Sequence, residues 1–169
     1  MTYLLLIFLL FGKTVNSQLT YSFINYTEDI SIKKQIEITE DCLNSWCDII
    51  GESIVKSEDS CADIKISFHP SITYLVGFRS ILYLGLTNSL YVEKDSGHIM
   101  INDYFTFDTC HTDTTIDFHT LLLHETGHIF GLEHCPIPLS VMYPIYLGQK
   151  RDITFIDSSY LLSIYNKNK

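Results

Sequence analysis

Three histidines, a glutamate and a glycine within eleven residues carry the chemistry open to this chain. From His124 to His134 the sequence reads His-Glu-Thr-Gly-His-Ile-Phe-Gly-Leu-Glu-His. On a helix His124 and His128 are four residues apart, so both imidazoles leave one face about one turn apart. That spacing suits two nitrogen donors to one tetrahedral Zn2+, with Zn–N distances of about 2.0–2.1 Å. Gly131 tolerates a positive φ, so the chain can reverse after the helix and return His134 as a third donor. Three protein donors leave the fourth position open for water, the pattern of a catalytic rather than a structural zinc. Glu125 stands on the flank, where a carboxylate can reach such a water without ligating the metal. There it can serve as general base for hydrolysis.

The elements that must position these groups are legible in outline. Residues 118–123 read Phe-His-Thr-Leu-Leu-Leu, an apolar approach suited to a buried helix over about 117–130, with Asp117 near its positive end. Residues 140–144, Ser-Val-Met-Tyr-Pro, place Met142 eight positions beyond His134. A methionine in an apolar run is ordinarily core filler. After a third histidine donor it reads instead as a soft apolar floor to the metal site. Upstream, 19–24 is β-rich, and 29–50 carries Ile32, Ile36, Leu43, Trp46 and Ile50 at helical spacing. Ile64, Ile66 and Phe68 alternate with Lys65 and Ser67 as a half-buried strand ending at His69-Pro70. Residues 80–86 read as an edge strand, Ile99 and Ile101 as a strand opened by Gly97, and Thr154 or Asp157 as the cap of a last short helix. The order β-α-β-β-β-α-α predicts an α+β fold. It is a twisted mixed sheet of about five strands with three helices and a zinc cleft along one sheet edge.

Composition narrows the setting. Residues 3–11 are continuously apolar, too short for a bilayer span of about 20 helical residues. With Val15-Asn16-Ser17 behind them they predict a signal peptide over 1–17 and one secreted domain over 18–169, with no membrane association after cleavage. No linker, repeat or low-complexity tract divides that domain, and a monomer is expected. Eleven basic against twenty acidic residues give a net charge of −9, which argues against nucleic acid and anionic membrane as partners. The five cysteines (Cys42, Cys47, Cys61, Cys110, Cys135) leave at least one unpaired if a secretory compartment oxidises them, and spacing does not give their connectivity. Cys135, beside His134, reads as a disulfide partner or an inert thiol before a metal ligand. Asn25-Tyr26-Thr27 is a glycosylation sequon lying in a predicted strand.

The extended histidine motif followed by Ser-Val-Met-Tyr-Pro resembles the active site of the matrixins, the matrix metalloproteinases of the metzincin clan. The short gap from His134 to Met142 is the matrixin one. Residues 19–27, 32–46, the Ala-Asp-Ile-Lys-Ile-Ser-Phe stretch at 62–68 and the helix ending in Ser-Ile-Tyr at 163–165 resemble matrixin elements in the same order. The resemblance implies a secreted zinc endopeptidase acting on extracellular or matrix-type proteins or peptides. It also implies that Pro144, Ile145 and Tyr146 wall the pocket for the side chain after the cut bond, with Thr120 at its border, and that this pocket is apolar.

Three departures from the family accompany the resemblance. No Pro-Arg-Cys-Gly-like segment stands between the leader and the first strand, so an enzyme without built-in latency is expected. The His-x-Asp pair of the family's second, structural zinc is missing from 69–96, and Met100 stands where its strand histidine would be, so that zinc is expected to be absent. His98, His111 and His119 read as histidines of solvated loops. Calcium is left open without positive support, because the usual acidic cluster is thinned to Asn102-Asp103, with Phe105 in place of an acid. Two other readings compete with a broad endopeptidase. One is a catalytically silent relative that binds a partner, the other a zinc protease confined to a narrow peptide substrate.

Overall fold

The computed structural model describes residues 18–70, 97–110, 112 and 114–167, together with the backbone of strands at 73–76, 79–82 and 85–88. In chain order the elements are β1 (Leu19–Phe23), α1 (Ile32–Ile50), β2 (Ile54–Lys56), β3 (Ile64–His69), β4 (Thr73–Val76), β5 (Arg79–Leu82), β6 (Gly85–Asn88), β7 (Gly97–Asn102), β8 (Phe107–Asp108), β9 (Ile116–Asp117), α2 (Phe118–Ile129) and α3 (Phe155–Lys167). The main sheet has the order β2-β1-β3-β7-β6. Its first four strands pair in parallel and β6 closes one edge antiparallel to β7. Parallel neighbours need a crossover, and α1 supplies it between β1 and β2. The expected α+β architecture of three helices on a five-stranded mixed sheet is the one observed.

The core follows from strand alternation. Ile64, Ile66 and Phe68 of β3 are buried and stand in register beside Gly97, Ile99 and Ile101 of β7. Lys65, Ser67 and His69 take the opposite face, as a period of two requires. Behind this sheet α1 buries Ile38, Leu43, Trp46 and Ile50, and α2 buries Leu121, Leu122 and Leu123. The single tryptophan, Trp46, is fully buried, and its Nε1–H donates to the Leu123 carbonyl at 3.0 Å, tying the two helices together. The first turn of α1 departs from the expected apolar face, because Ile32 is 54% exposed and Gln35 is buried instead. Gln35 donates to the carbonyls of Thr27 and Ile30 and accepts from the Thr27 amide, so it closes the loop that enters the helix. Polar satisfaction overrides apolar periodicity there. Gly51 ends the helix in the left-handed region at φ 72°.

Other expectations need correction. The edge strand read over 80–86 divides between a β4–β5 hairpin and β6. Strands β2, β8 and β9 have two or three residues each, too few to show alternation. His98 is a half-buried residue of β7, and its Nε2 lies 2.8 Å from Ser67 Oγ, which is also 2.8 Å from His69 Nε2. His119 belongs to the first turn of α2 and is likewise half-buried. Neither is a solvated-loop residue, and His111 lies outside the described residues. Asn25 sits just past β1, not within it. Its side-chain amide donates to the Phe68 carbonyl and accepts from the Phe68 amide, prolonging the β1–β3 ladder and engaging the nitrogen a glycan would use. All five cysteines are free thiols, with Cys42 and Cys47 part of the core. Burial raises the Cys42 thiol well above its ordinary range and pushes Cys47 up to about 12. The predicted signal segment 1–17 lies outside the described residues, and among those described no helix is long and apolar enough to cross a membrane.

Trp46→Phe removes the donor to Leu123 and part of the packing between α1 and α2. It is expected to cost about 1–3 kcal/mol. Chemical denaturation followed by far-UV circular dichroism checks this, and an unchanged midpoint would contradict the role assigned to the indole.

Candidate active site

The catalytic-type motif is carried by α2, and its start is fixed by Asp117. The Asp117 side chain accepts from the Thr120 amide at 2.8 Å, satisfying a donor that the first helical turn leaves free. The helix runs through His124, Glu125 and His128 and ends at Phe130. Gly131 then takes φ 87°, and the Gly131 and Leu132 amides bond back to the carbonyls of His128 and Gly127. This left-handed turn reverses the chain as the sequence predicts and returns His134 to the helix face.

The three imidazoles converge. His128 Nε2 lies 3.2 Å from His124 Nε2 and 3.3 Å from His134 Nε2. His124 Nδ1 is 2.8 Å from the Val141 carbonyl, and His128 Nδ1 is 2.6 Å from the Leu132 carbonyl. A carbonyl only accepts, so both Nδ1 atoms carry the proton and both Nε2 atoms present bare lone pairs. Two neutral rings in that tautomer cannot hydrogen-bond to each other through Nε2. A tetrahedral ion with bonds of about 2.0–2.1 Å would hold its donor nitrogens about 3.3–3.4 Å apart, close to the 3.2 and 3.3 Å that separate His128 from the other two. The donor set therefore fits zinc by chemistry, tautomer and distance. Burial lowers His124 to about 4, and neighbouring His128, His134 and Lys150 push the same way against the Val141 hydrogen bond. Burial also lowers His128. Both rings are thus neutral near pH 7, the form that ligates a metal. Among the described residues this is the one cluster of three or more histidine, cysteine or acidic donors.

Glu125 is buried at 4% exposure, on the same helix between the two histidines. Met142 is fully buried in the turn that follows His134, and its carbonyl accepts from the Cys135 amide at 2.8 Å. Its thioether presses on α2 at Gly127, where a Cβ would come within 2.4 Å of Met142 Sδ and 3.1 Å of Trp46 Cζ2. A Cβ there would require the Met142 side chain to move. Asp157, at 1% exposure, anchors the same turn from the start of α3. Its carboxylate accepts from Ser140 Oγ, from the Val141 amide at 3.0 Å, and from the Thr154 hydroxyl and amide at 2.6 and 3.1 Å. Burial alone would raise this acid, but the hydrogen bonds outweigh it and hold the carboxyl below its ordinary range. Val141 therefore bridges Asp157 on its amide to His124 on its carbonyl.

The residues expected around the substrate pocket are near one another in the fold. Pro144 is exposed and Tyr146 half-buried on the loop after the Met142 turn. Tyr146 Oη accepts from the Asp117 amide at 3.0 Å. Thr120 Oγ1 donates to Asp117 and receives the Lys150 amide at 2.8 Å, so its hydroxyl holds this loop to α2. Lys150 Nζ donates to the Ser140 carbonyl and stands 5.5 Å over the Tyr143 ring. Sequence reasoning saw Asp117 and Asp157 only as helix-start residues, and missed Gly127, Gln149, Lys150 and Arg151. A glycine inside a helix, which needs a packing reason, was the available signal for Gly127. The basic partners have none.

A helix carrying two converging histidines, a glycine reversal with a third, and a buried methionine turn define an α+β fold of the metzincin kind. The family model for Matrixin matches residues 13–166, and the chain belongs to the matrixin family. It is 27% identical to matrilysin of Rattus norvegicus over 88% of this chain and 57% of that protein. Stromelysin-1 of Mus musculus is 26% identical over 79% of this chain and 28% of its own length. A protein of Trichoplusia ni ascovirus 2c named for the matrix metalloproteinases is 34% identical over 50% of this chain and 17% of its own length. The chain thus spans between about a sixth and just over half of these relatives.

Two outcomes follow for this site. Gly127→Ala forces Met142 and Trp46 apart and is expected to cost about 1–3 kcal/mol. Zinc titration against a competing chromophoric chelator should also show weakened affinity, and unchanged affinity and melting temperature would remove Gly127 from the argument. Asp157→Asn is expected to cost about 3 kcal/mol near pH 7, since hydrogen bonds to a charged group contribute about 1.5–3 kcal/mol each. Because the folded carboxyl lies below its ordinary value of 3.8, its contribution is complete above that pH and fades as pH falls through the folded value. The gap between wild type and Asp157→Asn should therefore close on acidification below about pH 4. Urea unfolding at a series of pH values reads this directly, and a gap independent of pH would refute it.

Proposed function

We propose that this chain is the catalytic domain of a secreted, monomeric zinc endopeptidase that cleaves extracellular or matrix-type proteins. The observation that carries the reading is the convergence of three imidazoles, two of them with Nε2 lone pairs fixed toward one point by their backbone partners, with Glu125 beside them. His124, His128 and His134 would hold the zinc, and the Val141 and Leu132 carbonyls keep two of those rings in the ligating tautomer. When bound, zinc supplies Lewis acidity, lowering the pKa of water from about 15.7 toward 7 and stabilising negative charge on the substrate oxygen. Glu125 accepts the proton of the attacking water and returns it to the departing amine nitrogen, so peptide-bond cleavage consumes one water and leaves Glu125 unchanged.

The fold supports a place for an extended substrate. Strand β6 is the edge of the main sheet and packs beside α2. An edge strand offers unpaired backbone groups to a peptide laid along it. Pro144 and Tyr146 form the wall, and Thr120 the border, of the pocket that receives the side chain after the cut bond.

Quenched-peptide cleavage by the purified protein should be abolished by a zinc chelator and restored by added Zn2+. Glu125→Gln is expected to retain one zinc per chain while lowering turnover at least ~100-fold, the size of a general-base contribution. A near-native rate in that variant would reject Glu125 as the base. Absence of chelator-sensitive cleavage by the wild type would favour a silent partner-binding relative.

A further inference from the structure

The loop that carries Pro144 and Tyr146 is latched to the histidine-bearing helix by an ionic contact on a buried carboxylate. Asp117 is fully buried at the first position before α2. Its two carboxylate oxygens divide their partners. Oδ1 accepts from the Thr120 amide and hydroxyl at 2.8 and 2.6 Å, which serves the helix. Oδ2 accepts from Arg151 Nη2 at 2.5 Å and from Gln149 Nε2 at 3.3 Å, which serves the loop. Arg151 Nη2 also donates to the Thr109 carbonyl at 3.1 Å, reaching the segment between β8 and β9. On the backbone side, the Asp117 amide donates to Tyr146 Oη, and the Lys150 amide donates to Thr120 Oγ1. Residues 146 to 151 are thus fastened at four successive points to the first turn of the helix that bears the metal site.

We propose that Arg151 and Gln149 are specificity-positioning residues. By holding Asp117 Oδ2 they fix the loop 143–151 as a preformed wall, so the side chain after the cut bond is selected against one rigid shape. This inference rests on the endopeptidase reading and deepens it. A buried carboxylate needs its hydrogen-bond and ionic partners to offset the loss of water. Removing the guanidinium therefore withdraws the strongest restraint on the wall, while the helix cap made by Oδ1 persists. A loosened wall admits side chains that the fixed one rejects, and it does so in binding, ahead of chemistry. Arg151 acts through Asp117, whose amide donates to Tyr146 Oη.

The test uses the zinc-loaded protein and four quenched peptides identical except for Ala, Leu, Phe or Trp after the cut bond. In Arg151→Met the ratio of best to worst kcat/KM is expected to fall about tenfold, the scale on which a pocket discriminates by fit. The change should be carried by KM rather than kcat. Gln149→Ala, at an exposed position, should narrow the ratio in the same direction by less. Arg151→Lys, which keeps the charge, should retain the wild-type ranking. A role in stability alone would move the melting temperature and leave the ratio untouched. An unchanged ratio in Arg151→Met overturns the inference, and if that variant does not fold, an unchanged ratio in Gln149→Ala does so. If the wild type cleaves none of these peptides in a chelator-sensitive way, the endopeptidase reading fails first and this inference with it.

Discussion

Two imidazoles that have each committed a proton to a backbone carbonyl face one another with nothing but lone pairs. At 3.2 Å that arrangement is relieved by a cation or a donor shared between the two rings, and His134 brings a third nitrogen into the same space. Most other features of the site can be traced to this constraint. The rings must be held close against their own repulsion, so each is gripped from behind. Val141 holds His124 and Leu132 holds His128. The grip also chooses the tautomer, since a ring that turned over would offer its N–H to the metal position. The scaffold is therefore suited, on the proposed reading, to a charge that the protein itself does not supply.

Gripping the rings from behind requires the chain after the helix to return beneath it. Gly131 makes the reversal, and the closeness of the return is set by Gly127, where the missing Cβ lets Met142 Sδ and the Trp46 indole meet the helix backbone. Trp46 belongs to α1, and α1 packs on the parallel sheet whose β7 strand pairs with the edge strand β6. One continuous path of close packing thus joins the helix that carries the histidines to the candidate substrate edge. A shift of α2 relative to β6 would move donors and substrate apart together, and a mid-helix glycine is worth its intrinsic instability of about 1 kcal/mol on those terms.

What could be read from the sequence, and what could not, divides along the range of the interaction. The histidine donors, Gly131 and the methionine turn are legible because each depends on fixed offsets along the chain. Strands β3 and β7 are legible because four or more residues alternate. Strands β2, β8 and β9 are not, since two or three residues carry no period. Gln35 defeated the reading of α1 because an amide satisfied by three backbone partners can take a buried position that periodicity assigns to isoleucine. The Asp117–Arg151 pair spans thirty-four residues, and nothing local distinguishes that arginine from a solvated one. Asp157 was visible as a helix-start residue, but its hold on Ser140 and Val141 is a property of the folded turn.

The two buried carboxylates bracket one segment from opposite sides. Asp157 fixes where it begins, at Ser140 and Val141, and Asp117 fixes its far part at Tyr146, Gln149 and Arg151. Apolar residues of similar volume could fill either place, often without loss of stability. They could not direct the segment's backbone, because dispersion contacts have no preferred donor. A carboxylate with four hydrogen-bond partners tolerates few alternative arrangements of those partners, so it trades some desolvation cost for geometric definition. That trade suits a segment with two duties. Its start must present the Val141 carbonyl to His124 within hydrogen-bond reach, and its far part, in the proposed enzyme, must present a wall to a substrate. Both duties demand position more than stability, and each is anchored by an acid placed at the start of a helix, where the helix dipole favours negative charge.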